Sequence, residues 1–431
     1  MDFAQERIET LHALADADRA PEALTDRTAV LVPMTERDVG PEIDRVFGAL
    51  EAISPERVVV ALRADPGRVR AIETRLRSYD LRLELCWCNG PRIEALLADY
   101  GLDGPTGKGH DVWLGLGIAL ASESAFVAIH DADAASYTEA YVSRLVAPLA
   151  DGWGKGRARE KANGRGRDRD RRTDGRETGA AVTNGGDDGD GSDDGGTVGT
   201  GSPDQPEGRQ FVKGYHAWIE GNKLYGRLCR LLYAPLVREL AERHDEPILR
   251  YLDAVRYGLA GEYAMTANLA RQVRVRRGWG LEVGLLGKAF RVSGLEEVCQ
   301  VDLGVHDHDH RSVDGAAGLS AMARSVANVL LEAIEDGGVE PAYADLPGRY
   351  RERAEGFVAR YERDVAFNGL RYDAAAERRQ VAAYAGAISP PEGSERLPAW
   401  SDYELPVAAV RAAARADLDG IERGVSREAP R

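Results

Sequence analysis

The sequence predicts an α/β fold: a mostly parallel, Rossmann-like sheet with helices on both faces, plus a helical C-terminal extension. Three observations support this prediction. Compact apolar runs alternate with segments of helical spacing over residues 28–130, an order typical of a parallel sheet covered on both faces. Polar residues directly follow several of these runs, at the place where open α/β sheets bind ligands. Residues 313–381 then look largely helical.

The predicted elements of the first half follow in order. Strands are expected over 28–34, 57–62, 81–87 and 125–130, and helices over 42–53, 66–80 and 110–124. Pro66 opens the second of these helices, since proline is well suited to the first helical turn. The last strand leads directly into Asp131-Ala132-Asp133.

The second half shows longer elements. We predict a strand pair over 210–221, a long helix over 224–244, a helix starting within 259–273, a further element over 279–292 and a strand over 296–310. The tail contains one weaker helix.

Residues 151–210 interrupt this pattern. They consist mainly of Gly, Asp, Arg, Ser and Thr with almost no apolar side chains, so they cannot bury enough surface to fold. The first half is basic and the second acidic, which argues against a nucleic-acid-binding arm. The run "DDGDGSDDGG" lacks the flanking helices and closing Glu of a calcium-binding EF-hand. We predict a disordered insertion in a surface loop.

The charge balance limits the possible partners. A net charge of −15 argues against general nucleic-acid binding, because phosphate backbones favour Lys and Arg. Six of the 56 basic residues are lysines. This composition fits a high-salt cytoplasm, although a GC-rich genome also favours arginine. Where arginine is the default cation, a retained lysine suggests a need for a compact ammonium; Lys108 and Lys213 both stand in distinctive local sequence.

Membrane and secretion signals are not evident. No run of about twenty apolar residues is present, and the charged, amphipathic start is unlike a signal peptide. We therefore expect a cytoplasmic protein. The four cysteines include the pair Cys86 and Cys88, without a second pair at zinc-finger spacing, so core packing is the expected role.

Asp131 and Asp133 point to a metal site. Two carboxylates this close repel each other, and their burial is costly unless a cation or hydrogen bonds compensate. A divalent metal is the simplest such cation. We expect one carboxylate to bind the metal directly, while the other positions a sugar, a ribose or a metal-bound water.

The segment "HDHDH" at 306–310 holds three of the eight histidines. In an extended segment, residues i and i+2 share a face, so one or two imidazoles could reach a common site. Neutral imidazole with carboxylates suits Mn²⁺ or a similar ion. The alternative is an exposed polar turn.

Two basic residues and two glutamates are further candidates for contacts with a substrate. Lys108 lies in "GPTGKGHD", which fails the spacing of a P-loop but places a lysine at a helix N-terminus, a suitable place for a diphosphate. Arg227, near a helix start, could hold an anion, although surface arginines are usually solvated. Glu262 and Glu282 are flanked by glycines and are either structural caps or polar contacts to a substrate.

Together these segments resemble the retaining nucleotide-sugar glycosyltransferases that make glucosyl-3-phosphoglycerate. The resembling blocks occur in that family's order and cover most of 28–312: "LVPMTERD", "GKGHDVWLGL", "IHDADAASY", "FVKGYHAW", "YGRLCRLLYAPLV", "LAGEYA", "GWGLEVGLL" and "QVDLGVHDHDHRS". The resemblance implies a glycosyltransferase A-type fold, a homodimer and Mg²⁺ or Mn²⁺ as cofactor. It also implies transfer of a hexose, in this family glucose, from a UDP- or GDP-sugar to 3-phosphoglycerate, a step in compatible-solute synthesis.

The resemblance further implies residue roles. Asp133 and His308 would hold the metal, and Lys108, Asp133 and Glu282 would be catalytic. The implied donor-binding residues are Pro33, Met34, Thr35, Glu36, Lys108, Asp131, Ala132, Leu259, Ala260, Gly261 and Glu282. The implied acceptor-binding residues are Gly226, Arg227, Cys229 and His310, of which Cys229 and His310 stand where the family has Thr and Asn.

The predicted domains are an N-terminal helix over 1–27, a catalytic domain over 28–312 interrupted by the insertion, and a helical region over 313–431. The nearest alternative function is mannosyl-3-phosphoglycerate synthase or another family 2-type glycosyltransferase, because "PMTERD" is closer to that sister family. Two other functions are less favoured. A sugar nucleotidyltransferase normally has a glycine-rich loop where "PMTERD" stands, and a non-catalytic nucleotide-sugar binder would not need both the predicted metal ligands and the lysine.

Overall fold

The computed structural model describes residues 8–12, 22–150, 208–306, 315–393 and 396–425. Within them, a mixed sheet has the strand order β1-β9-β6-β8-β5-β2-β3-β4, with β7 paired to β6. The strands are β1 (Glu9–Leu11), β2 (Thr28–Thr35), β3 (Arg57–Arg63), β4 (Leu83–Trp87), β5 (Phe126–Ile129), β6 (Phe211–Glu220), β7 (Lys223–Leu224), β8 (Tyr263–Thr266) and β9 (Val298–His306).

Helices cover the sheet and form the C-terminal region. They are α1 (Glu22–Thr25), α2 (Glu42–Ile53), α3 (Pro66–Leu76), α4 (Pro91–Asp99), α5 (Lys108–Leu120), α6 (Ala140–Val146), α7 (Ala234–Ala241), α8 (Pro247–Ala254), α9 (Ala267–Gln272), α10 (Leu281–Ser293), α11 (Gly315–Glu335), α12 (Leu346–Phe367), α13 (Ala374–Ala385) and α14 (Val407–Val425). A π-helical segment, Leu228–Tyr233, precedes α7. Among the described helices, none is both long and apolar enough to cross a membrane.

The sheet is buried on both faces, as the sequence predicts. Leu31 and Val59 share one hydrophobic core with residues of α5, and Gly115 of α5 approaches Leu31 so closely that a Cβ atom there would lie 2.3 Å from its Cδ1. Side chains alternate along a strand, so Val30 and Val60 point to the opposite face, and they too are fully buried. The predicted α/β class with a mostly parallel sheet is therefore confirmed.

Most strands run in one direction. Strands β1, β9 and β6 pair in parallel, as do β5, β2, β3 and β4, while β8 lies between the two groups and is antiparallel to both β6 and β5. The carboxyl ends of β2, β3, β5, β6 and β9 therefore meet at one edge of the sheet. The chain enters β8 from this same edge.

The elements predicted over 28–130 agree closely with the structure, and most of the differences lie outside this range. The predicted N-terminal helix is wrong for Glu9–Leu11, which form β1 because they pair with β9. The helix expected within 259–273 begins only at Ala267, because Tyr263–Thr266 form β8 between β5 and β6. The strand pair over 210–221 is one long strand followed by the short β7.

Two further differences concern helices. Helix α4 is not predicted from the sequence. The helix expected over 224–244 starts as the π-helical segment and ends at Ala241.

Most of the predicted insertion, up to residue 207, lies outside the described residues, so its disorder stays a prediction. Its last position, Gln210, is buried and accepts a hydrogen bond from the Thr266 hydroxyl at 2.6 Å.

The C-terminal helices belong to the same compact unit as the sheet. The Asp417 carboxylate, on α14, accepts hydrogen bonds from the backbone N–H groups of Arg92 (3.0 Å) and Ile93 (3.2 Å). It therefore caps the N-terminus of α4, whose first N–H groups have no partner within the helix. Arg411 of α14 also pairs with Glu84 of β4 at 2.6 Å.

A pair of tryptophans joins the C-terminal segment to α5. Trp400 stacks on Trp113 with ring centroids 4.4 Å apart, and its indole N–H donates to the Trp113 carbonyl at 2.9 Å. The Trp113 indole donates in turn to the Pro398 carbonyl at 2.8 Å. This contact fixes the helix whose first residue is Lys108.

We predict that Trp400→Ala lowers the free energy of unfolding by about 3 kcal/mol, because a partly buried indole and its stacking contact are both lost. Urea denaturation followed by tryptophan fluorescence and circular dichroism measures the change. Phe367→Ala is the control, since Phe367 is 90% exposed, and it should shift stability by about 0.5 kcal/mol or less. An equal effect of both substitutions would contradict this account of the C-terminal segment.

Candidate active site

The candidate site is centred on the ammonium group of Lys108, at the carboxyl edge of the sheet. The Lys108 Nζ atom lies 2.7 Å from Asp131 Oδ1 and 3.0 Å from Glu282 Oε1. These three residues come from the start of α5, the end of β5 and the start of α10. The structure thus brings together two of the three predicted catalytic residues with a predicted donor-binding carboxylate.

The electrostatics of this group keep Lys108 charged. Its burial disfavours the ammonium, but the charges of Asp131 and Glu282 outweigh that cost and hold the pKa of Lys108 well above its ordinary value. The Lys108 side chain is 26% exposed and that of Asp131 is 35% exposed. A positive group with two negative neighbours is therefore open to ligands at the sheet edge.

The glycines around Lys108 serve close packing. A Cβ atom at Gly109 would lie 1.6 Å from the Arg276 carbonyl oxygen, and one at Gly107 would lie 2.6 Å from the Arg277 carbonyl oxygen. The backbone N–H of His110 donates to the same Arg277 carbonyl at 3.1 Å. The helix start is thus locked against the segment before α10, which fixes the distance between Lys108 and Glu282.

Asp131 rests against the backbone of another predicted donor-binding residue. A Cβ atom at Gly261 would lie 2.4 Å from Asp131 Oδ2, so a larger residue there would displace the Asp131 carboxylate from this position. Ala132 is buried, whereas Asp133 is partly exposed. His130, just before them, is fully buried; burial lowers its pKa to about 4, and its Nε2 lies 2.8 Å from the Tyr137 hydroxyl. His130 is thus a neutral core residue.

The donor set at this edge suits a hard divalent cation. Asp131 and Asp133 offer carboxylate oxygens, which are the ligands that Mg²⁺ and Mn²⁺ prefer. Across the ranges that the structure describes, no group of three His, Cys, Asp or Glu side chains forms a complete metal site. The predicted ligand His308 and the predicted acceptor residue His310 lie outside the described residues. Strand β9 ends at His306, at the same edge.

The predicted nucleoside-binding residues differ in accessibility. Pro33 and Met34 are buried within β2, opposite Ala61 and Leu62 of β3, so their side chains are part of the core. Thr35 and Glu36 are partly exposed at the strand end. The Glu36 carboxylate accepts a hydrogen bond from the Asp65 N–H at 2.8 Å and ties the ends of β2 and β3 together.

Lys213 is a site residue without a predicted role. It is 1% exposed, its ammonium donates to the Ala260 carbonyl, and it lies 5.5 Å from the centre of the Tyr263 ring. Burial lowers its pKa to about 8, although the charges of Glu282 and Glu262 act to raise it. Lys213 therefore supports the Leu259–Gly261 backbone from inside. In the sequence, the only indication of a special role for this residue is that lysines are rare in the chain.

The two glycine-flanked glutamates, Glu262 and Glu282, have different surroundings in the structure. Glu282 contacts Lys108, whereas Glu262 is 2% exposed with its Oε2 atom 3.6 Å from His216 Nδ1. Glu262 is therefore an interior residue and Glu282 a site residue.

The predicted acceptor turn lies beside the predicted donor backbone. Gly226 has a positive φ of 74°, and a Cβ atom there would lie 2.8 Å from the Tyr257 hydroxyl. Arg227 is exposed at the start of the π-helical segment. Cys229 is buried; burial raises the pKa of its thiol to about 11, although hydrogen bonds with the Gly258 and Leu259 backbone act in the opposite direction. Cys229 is thus a contact between the two segments.

Comparison with known proteins gives one consistent relationship. The chain is 29% identical over 413 residues to glucosyl-3-phosphoglycerate synthase of Methanococcoides burtonii, covering 90% of this chain and 88% of that protein. It is 26% identical over 368 residues to the synthase of the same name from Persephonella marina, covering 82% and 78%. The chain is related to glucosyl-3-phosphoglycerate synthases over most of its length. No protein-family model matches it.

A solved structure was also found. Glucosyl-3-phosphoglycerate synthase of Mycobacterium tuberculosis, in complex with Mn²⁺, uridine diphosphate and phosphoglyceric acid, aligns over 78% of this chain and 88% of its own, at 21% identity and a TM-score of 0.49. The relationship to these synthases is therefore one of sequence, and the fold is described by the strand order of the sheet.

The two site lysines should titrate far apart. The chain has six lysines, so labelling with ¹³Cε-lysine gives few NMR signals to assign. We predict that one signal titrates near pH 8 and disappears in Lys213→Arg. A second signal, lost in Lys108→Arg, should titrate well above the ordinary lysine range, because Asp131 and Glu282 favour the ammonium.

Titration of the Lys213 and Lys108 signals over the same pH range would contradict the described electrostatics.

Proposed function

We propose that this chain is a glycosyltransferase that moves a glucosyl group from a nucleotide sugar to 3-phosphoglycerate and forms glucosyl-3-phosphoglycerate. The observation that carries the proposal is the Lys108 group: an ammonium held between Asp131 and Glu282, with the Gly261 backbone against Asp131. The curated relatives support the substrates by their names and by their coverage of most of the chain.

The donor would bind at the sheet edge around Lys108. A fixed cation there stabilises the negative charge that develops on a departing diphosphate. Glu282 and the Leu259–Gly261 backbone would hold the sugar, with Lys213 fixing the Ala260 carbonyl from below. Thr35 and Glu36 are the accessible part of the proposed nucleoside site, whereas Pro33 and Met34 would contribute only backbone.

Asp133 and His308 are the proposed metal ligands, and Asp131 precedes Asp133 by two residues. When bound, Mg²⁺ or Mn²⁺ would neutralise the two phosphates of the leaving group. The residues themselves supply hard oxygen ligands at the end of β5 and an imidazole beyond the end of β9, two strands that finish at the same edge.

The acceptor would bind across from the donor sugar, at the turn that contains Gly226 and Arg227 and at Cys229 in the π-helical segment that follows it. A guanidinium can grip two oxygens of a phosphate at once, and Arg227 is exposed at this turn. The contact between Cys229 and the Leu259 backbone supports this location, because it joins the π-helical segment to the backbone proposed to hold the sugar. His310 would complete the acceptor site.

The proposed reaction is a substitution on one face of the sugar. A bond forms between the acceptor hydroxyl oxygen and the anomeric carbon as the bond from that carbon to the diphosphate breaks. The electron pair leaves with the diphosphate, which also takes the hydroxyl proton. Attack from the same face as the leaving group retains the anomeric configuration, as the family resemblance implies. This route needs no covalent intermediate, and the sequence suggests no strongly placed nucleophile that would form one.

The base of the donor, the homodimer, the cytoplasmic location and the salt-adapted setting stay predictions from the sequence. A mannosyl donor is the alternative to test, because the turn after β2 is closer to the sister mannosyl-3-phosphoglycerate synthases.

The test is a panel of UDP-glucose, GDP-glucose and GDP-mannose with 3-phosphoglycerate in high salt, with Mn²⁺ or Mg²⁺, assayed for released nucleoside diphosphate. We expect turnover with a glucose donor and loss of turnover in EDTA. Asp133→Asn should lower kcat about 100-fold or more, because a charged ligand is removed from the leaving-group cation.

Asp44→Asn is the control, because Asp44 is a surface residue of α2 that pairs with Arg75 at 2.8 Å; it should leave kcat unchanged. Preference for GDP-mannose would select the mannosyl alternative. Consumption of a nucleoside triphosphate with pyrophosphate release, or full activity of Asp133→Asn, would contradict the proposal.

A further inference from the structure

Arg230 is a buried cation that the proposed chemistry does not use. It lies in the π-helical segment, three residues after Arg227, and is 6% exposed. Its Nε donates to the Tyr225 carbonyl at 2.8 Å, and a terminal nitrogen donates to the Leu224 carbonyl at 3.3 Å. One guanidinium therefore holds the backbone that leads into Gly226.

The charge of Arg230 is matched by a residue of the C-terminal helical region. Its two terminal nitrogens donate to both carboxylate oxygens of Glu377, on α13, at 2.6 Å and 3.2 Å, and Glu377 is itself 6% exposed. The Tyr372 hydroxyl donates to the same carboxylate. The Tyr361 ring of α12 lies 4.6 Å from the guanidinium carbon. Burial disfavours the charged guanidinium, but Glu377 more than offsets this and keeps the pKa of Arg230 raised.

The same C-terminal region holds the neighbouring hairpin. The Arg371 N–H donates to the Asn222 carbonyl at 2.8 Å, and its side chain donates to the Gly221 carbonyl at 2.6 Å. Asn222 donates back to the Gly369 carbonyl at 3.3 Å. Thus the loop between β6 and β7 is fixed by the segment that follows α12.

The turn between these contacts has little freedom. Gly226 has a positive φ, and its carbonyl accepts the Arg230 N–H at 3.0 Å. Tyr384 of α13 is fully buried, and the charges of Arg227 and Arg230 act on its pKa, which burial raises. π-Helical turns are rare and frequent at functional sites, and here the π-helical segment begins right after the exposed Arg227.

We propose that Arg230 and Glu377 are positioning residues for the acceptor: their buried ion pair fixes the Tyr225–Arg227 turn from the C-terminal region, so that Arg227 faces the phosphate of the acceptor. This inference rests on the proposed function. The pair acts on the acceptor through the turn, because Arg230 donates to the Tyr225 and Leu224 carbonyls and to Glu377. Its removal should therefore weaken acceptor binding and leave donor binding intact.

Glu377→Gln tests the proposal, because it keeps the size of the side chain and removes the charge that orients Arg230. We expect the KM for 3-phosphoglycerate to rise about tenfold, equivalent to about 1.4 kcal/mol. The donor KM and the kcat at saturating acceptor should stay within about twofold. Non-phosphorylated glycerate should be a poor acceptor for the parent, and the substitution should hardly worsen it.

Glu239→Gln is the matched control. Glu239 is also a buried glutamate, 4% exposed, and pairs with Arg243 and Arg349 at 3.0 Å, in contacts between α7 and α12. It has no contact with the turn in the described residues. Its loss should lower the melting temperature without changing the acceptor KM.

Three results would overturn the proposal: equal rises of donor and acceptor KM in Glu377→Gln, the same KM change in Glu239→Gln, or an equal loss with glycerate. If Glu377→Gln does not fold, Tyr372→Phe removes one hydrogen bond from the same carboxylate, and the acceptor KM should still rise about twofold with the donor KM unchanged. No rise there would equally overturn the proposal.

Calorimetry separates this proposal from the proposed function. If the parent does not transfer a sugar to 3-phosphoglycerate, the proposed function fails. Direct binding of 3-phosphoglycerate to parent and variant then decides the inference: weaker binding by Glu377→Gln supports it, and equal binding or no binding to the parent overturns it.

Discussion

The contact of the Lys108 ammonium with the carboxylates of Asp131 and Glu282 is the interaction on which the site depends. Lys108 lies at the start of α5, Asp131 follows β5, and Glu282 lies at the start of α10. The three residues meet because the parallel sheet brings β5 and α5 to one edge. The close packing of Gly109 on the Arg276 carbonyl and of Gly261 on Asp131 sets the geometry. Charges that are partly withdrawn from water are costly unless they are paired, and here Asp131 and Glu282 both pair with the Lys108 ammonium.

The other side of the site depends on a different kind of contact. The turn before the π-helical segment is held from the C-terminal helical region through Arg230 and Glu377. Within the π-helical segment, Cys229 contacts the backbone of Leu259. The C-terminal helices are therefore more than an extension of the sheet. They complete the core around α5 on one side and fix the proposed acceptor turn on the other.

The sequence predicts the first half of the fold well because strand and helix periods are local signals; helix α2 has the predicted limits. Lys108 and Glu282 could be placed in one site through ordered motifs and a family resemblance. Strand β8 could not be predicted, because its four residues lie in a helix-like stretch and become a strand only between β5 and β6. The same holds for the Arg230–Glu377 pair, whose members are 147 residues apart and carry no local pattern.

The central claim is that Lys108 is the cation that receives the diphosphate of the donor. Calorimetry of Lys108→Met with the nucleoside diphosphate released in the donor panel, and with the corresponding nucleoside, tests it most directly. The account predicts that the Kd for the diphosphate rises about tenfold or more, or about 1.4 kcal/mol, while the Kd for the nucleoside changes less than about twofold. An unchanged affinity for the diphosphate, or an equal loss for both ligands, would contradict it.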